Sequence, residues 1–243
     1  MTNGNAGGTG SVPEEIFKAY DVRGLYGDQM DGDTAYLLGR GFARVLADLR
    51  DKKPADLGVG IGRDMRLQAP EMAERLREGL MDEGVHVLDA GMVGTEMLYF
   101  MVGARGLDGG AMITASHNPK AYTGVKLVRE GALALSGDTG ITRIRDVILD
   151  GLPKAPRGGS VEEVDIAPEF RKRALEFIDI EALKPMKVVV DGGNGMAGEM
   201  VGPLLERFDL DLVATYWTPD GNFPDHEPNP LLPENRQFII DRV

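Results

Sequence analysis

The chain has 243 residues and a mass of 26.3 kDa, which makes one large domain or two small ones at roughly 150 residues per domain. Hydrophobic residues at 42% and charged residues at 27% belong to a globular chain rather than a disordered one. Zero cysteines exclude a disulfide scaffold, thiolate chemistry and cysteine-based zinc or iron–sulfur sites, and three histidines leave little for an all-histidine metal site. A net charge of −12 speaks against a general nucleic-acid surface. No apolar run approaches the roughly 20 residues of a membrane span, and the Gly-rich start has neither the basic nor the apolar region of a signal peptide. A cytoplasmic enzyme or binding domain is the expectation, with no nucleic-acid and no membrane partner.

In chain order, the first ten residues lack apolar periodicity and are expected to form a tail. Ile16 to Val22 is a short apolar stretch read as a strand, with Arg23 and Gly24 just after it. Thr34 to Asp48 carries a helical stripe, Asp56 to Ile61 reads as a buried strand, and Ala69 to Glu83 places Met72, Leu76 and Leu80 on one helix face. Val85 to Leu88, Gly110 to Thr114 and Val125 to Val128 read as further strands, the last as a hairpin partner or extra strand, with a short helix over Glu96 to Ala104. Strands alternating with helices predict an α/β fold with a mixed, mainly parallel sheet flanked by helices, in which chemistry gathers on loops after the strands' carboxyl ends. Arg23, Arg63 and Ser116 stand on such loops. Gly151 to Ser160 holds two prolines and three glycines and reads as a linker. Beyond it, a helix over Phe170–Ile178, strands at Lys187–Val190 and Leu210–Tyr216, a helix over Gly198–Phe208 and a last helix over Glu234–Val243 make a second unit with few strands for a complete sheet.

Thr114-Ala-Ser-His-Asn-Pro119 follows a predicted strand directly, and Pro119 biases Asn118 away from helix, so the segment is expected to be a tight, held loop presenting Ser116. The plain alternative is a polar turn, since Ser, Asn and Pro favour turns in any case. Lys126 lies on the chain returning from this loop, where it either faces Ser116 or is a solvated strand lysine. Arg23 offers a planar fork of donors suited to phosphate oxygens, or a surface salt bridge. Gly62-Arg-Asp-Met-Arg66 adds two cations, and Arg63–Asp64 reads equally as a structural ion pair. Two further patterns are read as decoys. Gly193-Asn-Gly-Met-Ala-Gly198 has the spacing of a dinucleotide fingerprint, but no acidic residue ends the next strand, so a turn packing a helix onto a strand is the better reading. Asp31-Gly-Asp33 has the spacing of a metal loop, but a helix starts at once, and Asp33 reads as its N-cap.

These pieces together resemble the α-D-phosphohexomutases, of the bacterial phosphomannomutase/phosphoglucomutase type. The matching stretches are Phe17-Lys-Ala-Tyr-Asp-Val-Arg-Gly24, Gly62-Arg-Asp-Met-Arg66, Thr114-Ala-Ser-His-Asn-Pro119 with Tyr122 and Lys126, Val190-Asp-Gly-Gly-Asn-Gly195, and Phe223-Pro-Asp-His-Glu-Pro-Asn-Pro230 with Pro233-Glu-Asn235. They occur in the family's order from about Ile16 onward.

The resemblance implies that Ser116 is a phosphoserine which passes its phosphoryl group to a hexose phosphate and takes one back after a hexose 1,6-bisphosphate intermediate reorients. It implies Mg2+ as cofactor, held in part by the Ser116 phosphate. It assigns Arg23 and Lys126 to acid–base roles and to the substrate, with Tyr20 and His117 lining the site. An arginine is a poor proton acceptor, so charge stabilisation is the role expected of Arg23 and proton transfer that of Lys126. The implied layout is a tail over 1–12, phosphohexomutase domain 1 over 13–158, and a partial domain 2 over 159–243 that stops before the family's magnesium loop. On that layout the chain alone is expected to turn over little or no substrate. Departures from the family's usual residues are Thr123, Gln68 and Glu96. The alternative is a non-catalytic truncated domain that folds and either self-associates as a homo-oligomer through its unfinished second sheet or binds phosphosugar weakly.

Overall fold

The computed structural model describes residues 12–243. The expected tail therefore lies outside the described residues except for Val12, which is buried. Sixteen elements follow: β1 (Val22–Leu25), α1 (Gly32–Arg50), β2 (Gly58–Arg63), α2 (Ala69–Asp82), β3 (His86–Met92), α3 (Thr95–Ala104), β4 (Gly109–Ile113), β5 (Tyr122–Arg129), β6 (Leu133–Ala134), α4 (Thr142–Leu149), β7 (Ser160–Glu163), α5 (Ala167–Leu175), β8 (Met186–Asp191), α6 (Ala197–Leu205), β9 (Leu210–Thr215) and α7 (Pro233–Ile240). The main sheet runs β1-β5-β4-β2-β3-β7, with β6 alongside β5. β4, β2, β3 and β7 are parallel, whereas β5 runs antiparallel to both β4 and β1. The mixed, helix-flanked sheet read from the sequence is the fold observed.

Alternation along the strands divides the core between the two faces. Val59 and Ile61 of β2, Ala111 and Ile113 of β4, and Val125 and Leu127 of β5 meet Leu38, Phe42, Leu46, Leu76, Leu80 and Ile144 from α1, α2 and α4. Met112 and Val128 point the other way, toward Met97, Leu98, Met101 and Val102 of α3. Helices α1 and α2 cross so closely that a Cβ on Gly39 would stand 2.2 Å from the Leu76 carbonyl oxygen, and one on Gly79 2.2 Å from that of Tyr36. Only hydrogen fits at these two positions.

The second unit packs β8 parallel to β9, with α6 between them in sequence. It leans on the α3 face of the first unit. Phe170 of α5 meets Phe100 edge to face at 5.7 Å, and Met200 of α6 joins the cluster beneath α3.

Several expectations need correction. Arg23 lies inside β1, opposite Gly124, not after a strand. Helix α1 begins two residues earlier than read, so its N-cap is Asp31, whose Oδ1 accepts the Thr34 N–H at 2.8 Å, while Asp33 pairs outward with Arg75. Pro54–Asp56 forms a single 3-10 turn and β2 starts only at Gly58, because the Asp56 and Leu57 N–H groups close that turn onto the Lys53 and Pro54 carbonyls and are not free for a ladder. The short elements β6 and α4 were not expected. Neither was β7, which begins at the last residue of the stretch read as a linker and extends the first unit's sheet beside β3.

Candidate functional site

The serine loop follows β4 and is held from below by one buried cation. Arg66 is 2% exposed. Its Nη2 donates to the carbonyl oxygens of Ser116 at 2.8 Å and Asn118 at 2.6 Å, and its Nη1 to those of Pro119 at 3.0 Å and Tyr122 at 3.2 Å. A planar guanidinium presents several donors in fixed directions, so four carbonyls on one loop are fixed relative to each other by one rigid group. The loop adds bonds of its own. Ser116 N–H donates to Thr114 Oγ1 at 2.9 Å, and Asn118 donates to the Ala115 carbonyl from its backbone at 3.0 Å and from its side chain at 2.9 Å. Gln68 supports the loop's exit, donating to the Tyr122 carbonyl at 2.8 Å. Ser116 sits in the left-handed region at φ 53°, a conformation that L residues adopt only when their surroundings hold them there.

Asp64 anchors the clamp. It accepts the Arg66 N–H at 3.0 Å and lies 3.4 Å from Arg66 Nε. The sequence allowed an Arg63–Asp64 pair, but the partner is Arg66, because Arg63 points to the other wall of β2 and lines a separate groove with Arg77 and Asp89. Burial pushes the Asp64 carboxyl above its usual range, against hydrogen bonds from Thr114 and from the Arg66 backbone. Burial likewise lowers Arg66, which Asp64 opposes and the positive charge of Arg23 reinforces.

Strand pairing relates the expected cations to the segment that enters the serine loop, although neither Arg23 nor Lys126 is among the residues lining the cleft onto which Ser116 opens. Arg23 is opposite Gly124, Thr114 N–H bonds to the Gly124 carbonyl at 3.0 Å, and Lys126 is opposite Met112. Positions opposite each other and two apart share a face, so Arg23, Lys126 and Thr114 all stand on the α3 side of the sheet. A carboxylate that sequence reasoning did not single out joins them: Asp21 accepts a hydrogen bond from Arg23 and lies 3.8 Å from Lys126 Nζ. The signal was present, since Asp21 stands only two residues before Arg23, in the bend that enters β1. Tyr99 of α3 completes this wall; burial raises its phenol pKa, and the charges of Glu96 and Asp21 raise it further. Tyr20 is 77% exposed on the turn before β1 and has no side-chain hydrogen bond among the described residues.

Ser116 and His117 are exposed, with Ser116 Oγ 3.5 Å from His117 Nδ1. They open into a cleft of about 640 Å³ between the two units, which Thr114, Asp64 and Glu96 also line. The opposite wall is the carboxyl end of β8 and the loop after β9. There His226 Nε2 lies 2.9 Å from Asp191 Oδ2, Asp191 Oδ1 accepts the Gly193 N–H at 2.8 Å, and Asn194 reaches Asp225 at 2.9 Å. The Gly193–Gly198 turn does what a packing turn does: a Cβ on Gly198 would stand 2.4 Å from the Trp217 carbonyl oxygen. Among the described residues no three His, Asp or Glu side chains are arranged to hold a metal ion.

Comparison with known proteins decides the family. The model for phosphoglucomutase/phosphomannomutase alpha/beta/alpha domain I matches residues 14–152, and that for domain II matches residues 168–243. The chain belongs to the phosphoglucomutase/phosphomannomutase family. It is 41% identical over 237 residues to a phosphomannomutase of Vibrio cholerae, covering 93% of this chain and 50% of that protein. It is 40% identical over 233 residues to a phosphomannomutase/phosphoglucomutase of Pseudomonas aeruginosa, covering 96% and 48%. A crystal structure of a phosphoglucomutase/phosphomannomutase family protein from Burkholderia thailandensis superposes with a TM-score of 0.85 at 36% identity, over 95% of this chain and 50% of that one. The chain thus spans about half the length of the curated relatives it matches. No helix among the described residues is long and apolar enough to cross a membrane.

Proposed function

We propose that this chain carries the phosphoserine part of a phosphohexomutase that interconverts hexose 1-phosphates and hexose 6-phosphates through a hexose 1,6-bisphosphate. The observation that carries the reading is an exposed Ser116 on a loop pinned by Arg66, with Arg23 and Lys126 on the same face of the sheet. Phosphoryl transfer asks mainly for positioning and for neutralised charge on the equatorial oxygens, and a pinned serine with cations on the same sheet face supports the reading. In the first half-reaction a sugar hydroxyl attacks the phosphorus of phospho-Ser116. The bond from phosphorus to Oγ breaks with its electron pair left on Oγ, while the new bond to the sugar oxygen forms. As Lys126 takes the hydroxyl proton it gives one of its own to the departing Oγ, so that its charge is unchanged; Arg23 neutralises the transferring group, and His117 lies beside Oγ. The second half-reaction reverses these steps on the other phosphate of the reoriented bisphosphate.

Magnesium, when bound, would neutralise charge on the transferring phosphoryl, and the Ser116 phosphate is the one ligand this chain is read to offer it. The described residues form no cage for the ion, so the chain by itself supplies little of that neutralisation. For that reason the 243-residue chain alone is proposed to have little or no turnover.

Incubation with glucose 1,6-bisphosphate and magnesium, followed by phosphopeptide mass spectrometry, tests the reading. Phosphate on Ser116, absent from Ser116→Ala, is the expected result; an unmodified Ser116 overturns it. Turnover of glucose 1-phosphate or mannose 1-phosphate at the rate of a full-length relative would overturn the statement about the isolated chain. The non-catalytic, self-associating alternative draws on the two-stranded β8–β9 sheet and on exposed Phe177, Met186 and Ile240 in the second unit. Sedimentation of the chain as a monomer would remove its self-associating form, and phosphate uptake at Ser116 would remove its non-catalytic one.

A further inference from the structure

We infer that Phe223 is a positioning residue for Ser116, acting from the second unit through Arg66; this rests on the reading of Ser116 as the phosphoryl carrier. The Arg66 guanidinium spends its in-plane donors on the serine loop, which leaves its flat face to be covered. The Phe223 ring covers it, with Arg66 Cζ 5.1 Å from the ring centroid. A cation over an aromatic face is attracted by the ring's quadrupole, more so where water is excluded. Arg66 is 2% exposed and Phe223 9%. The ring therefore does two things at once: it holds the guanidinium by its face, and it keeps water from competing for the four carbonyls.

The loop that carries the ring is itself held. Phe223 N–H donates to the Asp220 carbonyl at 3.0 Å, and Asp220 N–H to the Asn194 carbonyl at 2.8 Å, which ties the loop to the turn after β8. It is also seated hard against the clamp, since a Cβ on Gly221 would stand 2.7 Å from Leu67 N and 2.8 Å from the Met65 carbonyl oxygen. A continuous set of contacts thus runs from the end of β8, through Phe223 and Arg66, to the Ser116 carbonyl. The serine's position in one unit is set in part by a loop of the other. Misplacement of a reacting group by about 1 Å can cost on the order of a hundredfold in rate, so such a link is a catalytic matter although Phe223, which also lines the cleft, acts through Arg66.

Two variants of the chain separate this role from plain packing. Phe223→Leu keeps an apolar side chain but removes the π face, and Phe223→Tyr keeps both. The leucine variant is expected to speed amide hydrogen exchange at Ser116 and Asn118 by about tenfold, and to slow phosphate incorporation at Ser116 from glucose 1,6-bisphosphate by a similar factor. The affinity for the bisphosphate is expected to stay unchanged, and the tyrosine variant to behave as the parent. A thermal melt by circular dichroism screens folding, and Phe223→Met replaces the leucine variant if that does not fold. The inference is overturned if loop exchange in the leucine variant matches the parent. It is also overturned if the tyrosine variant is as impaired as the leucine one, or if affinity changes while exchange does not, which would make Phe223 a substrate contact. A parent chain whose Ser116 takes up no phosphate would defeat the functional reading instead, and the exchange measurement would still judge the clamp.

Discussion

The guanidinium of Arg66 holds the carbonyl oxygen of Ser116 at 2.8 Å while itself being almost wholly buried. A buried ion pair is weak evidence of stability, but removing one partner is costly because the other is left uncompensated. Arg66→Met is therefore expected to destabilise the fold by about 3–5 kcal/mol, since it strands Asp64 and four carbonyls together. Arg66→Lys retains the charge without the fork and is expected to recover only part of the loss. Urea unfolding of both variants checks this, and a lysine variant as stable as the parent would show that charge alone suffices.

Asp21 sits between two cations that are proposed to receive a phosphate. Its carboxylate competes with that phosphate while also fixing where Arg23 points. Asp21→Asn is expected to tighten binding of a hexose phosphate by about one-and-a-half- to fivefold, the worth of a partly exposed ion pair. It is expected to slow phosphate incorporation at Ser116 at the same time, because Arg23 loses its orientation. Calorimetric titration with glucose 6-phosphate reads the first effect, and weaker binding would refute the counter-ion role.

Asp108 gives the fold a pH dependence with a definite sign. Burial alone would raise its pKa, but donors from Lys52 at 2.6 Å, Gly58 N–H at 3.1 Å and Arg50 at 3.0 Å outweigh it and hold the carboxyl below the usual range. The folded pKa is therefore below the unfolded one. The stability it supplies is complete above the unfolded value, about 3.9, and is lost as pH falls through the folded value. Asp108→Asn is expected to cost about 1–2 kcal/mol at pH 7, allowing for solvent screening of the half-exposed cations, and much less near pH 2. A constant difference between parent and variant at both pH values would contradict this.

Gly198 lies where α6 meets the strand exit, with no room for a methyl group beside the Trp217 carbonyl. Gly198→Ala is expected to destabilise the second unit by about 1–3 kcal/mol. Trp217 is the chain's single tryptophan, so its fluorescence reports that unit directly. An unchanged unfolding midpoint would mean that the helix shifts freely. The same site predicts that neither chain binds a nicotinamide dinucleotide, which fluorescence titration checks.

The order of most elements, though not of β6, α4 and β7, was legible in the chain because it is written in local periodicity. The helical stripe over Leu38, Phe42 and Leu46, the valine run at Lys187–Val190 and the strand before Ser116 each identify themselves from residues near in sequence. The serine loop was legible too, since Pro119 and Asn118 constrain the backbone where they stand. Boundaries and partners were not. The N-cap is Asp31 rather than Asp33 because the helix start depends on where β1 ends, and β7 pairs with β3 over a separation no local pattern encodes. Arg66 stood in the sequence as one more cation. Only the folded chain shows it under the serine loop, paired with Asp64 and roofed by Phe223 from more than 150 positions away. What a side chain is follows from the sequence; what it neutralises, pins or covers depends on long-range packing, decided within the first unit for Asp64 and the serine loop and between the two units for Phe223.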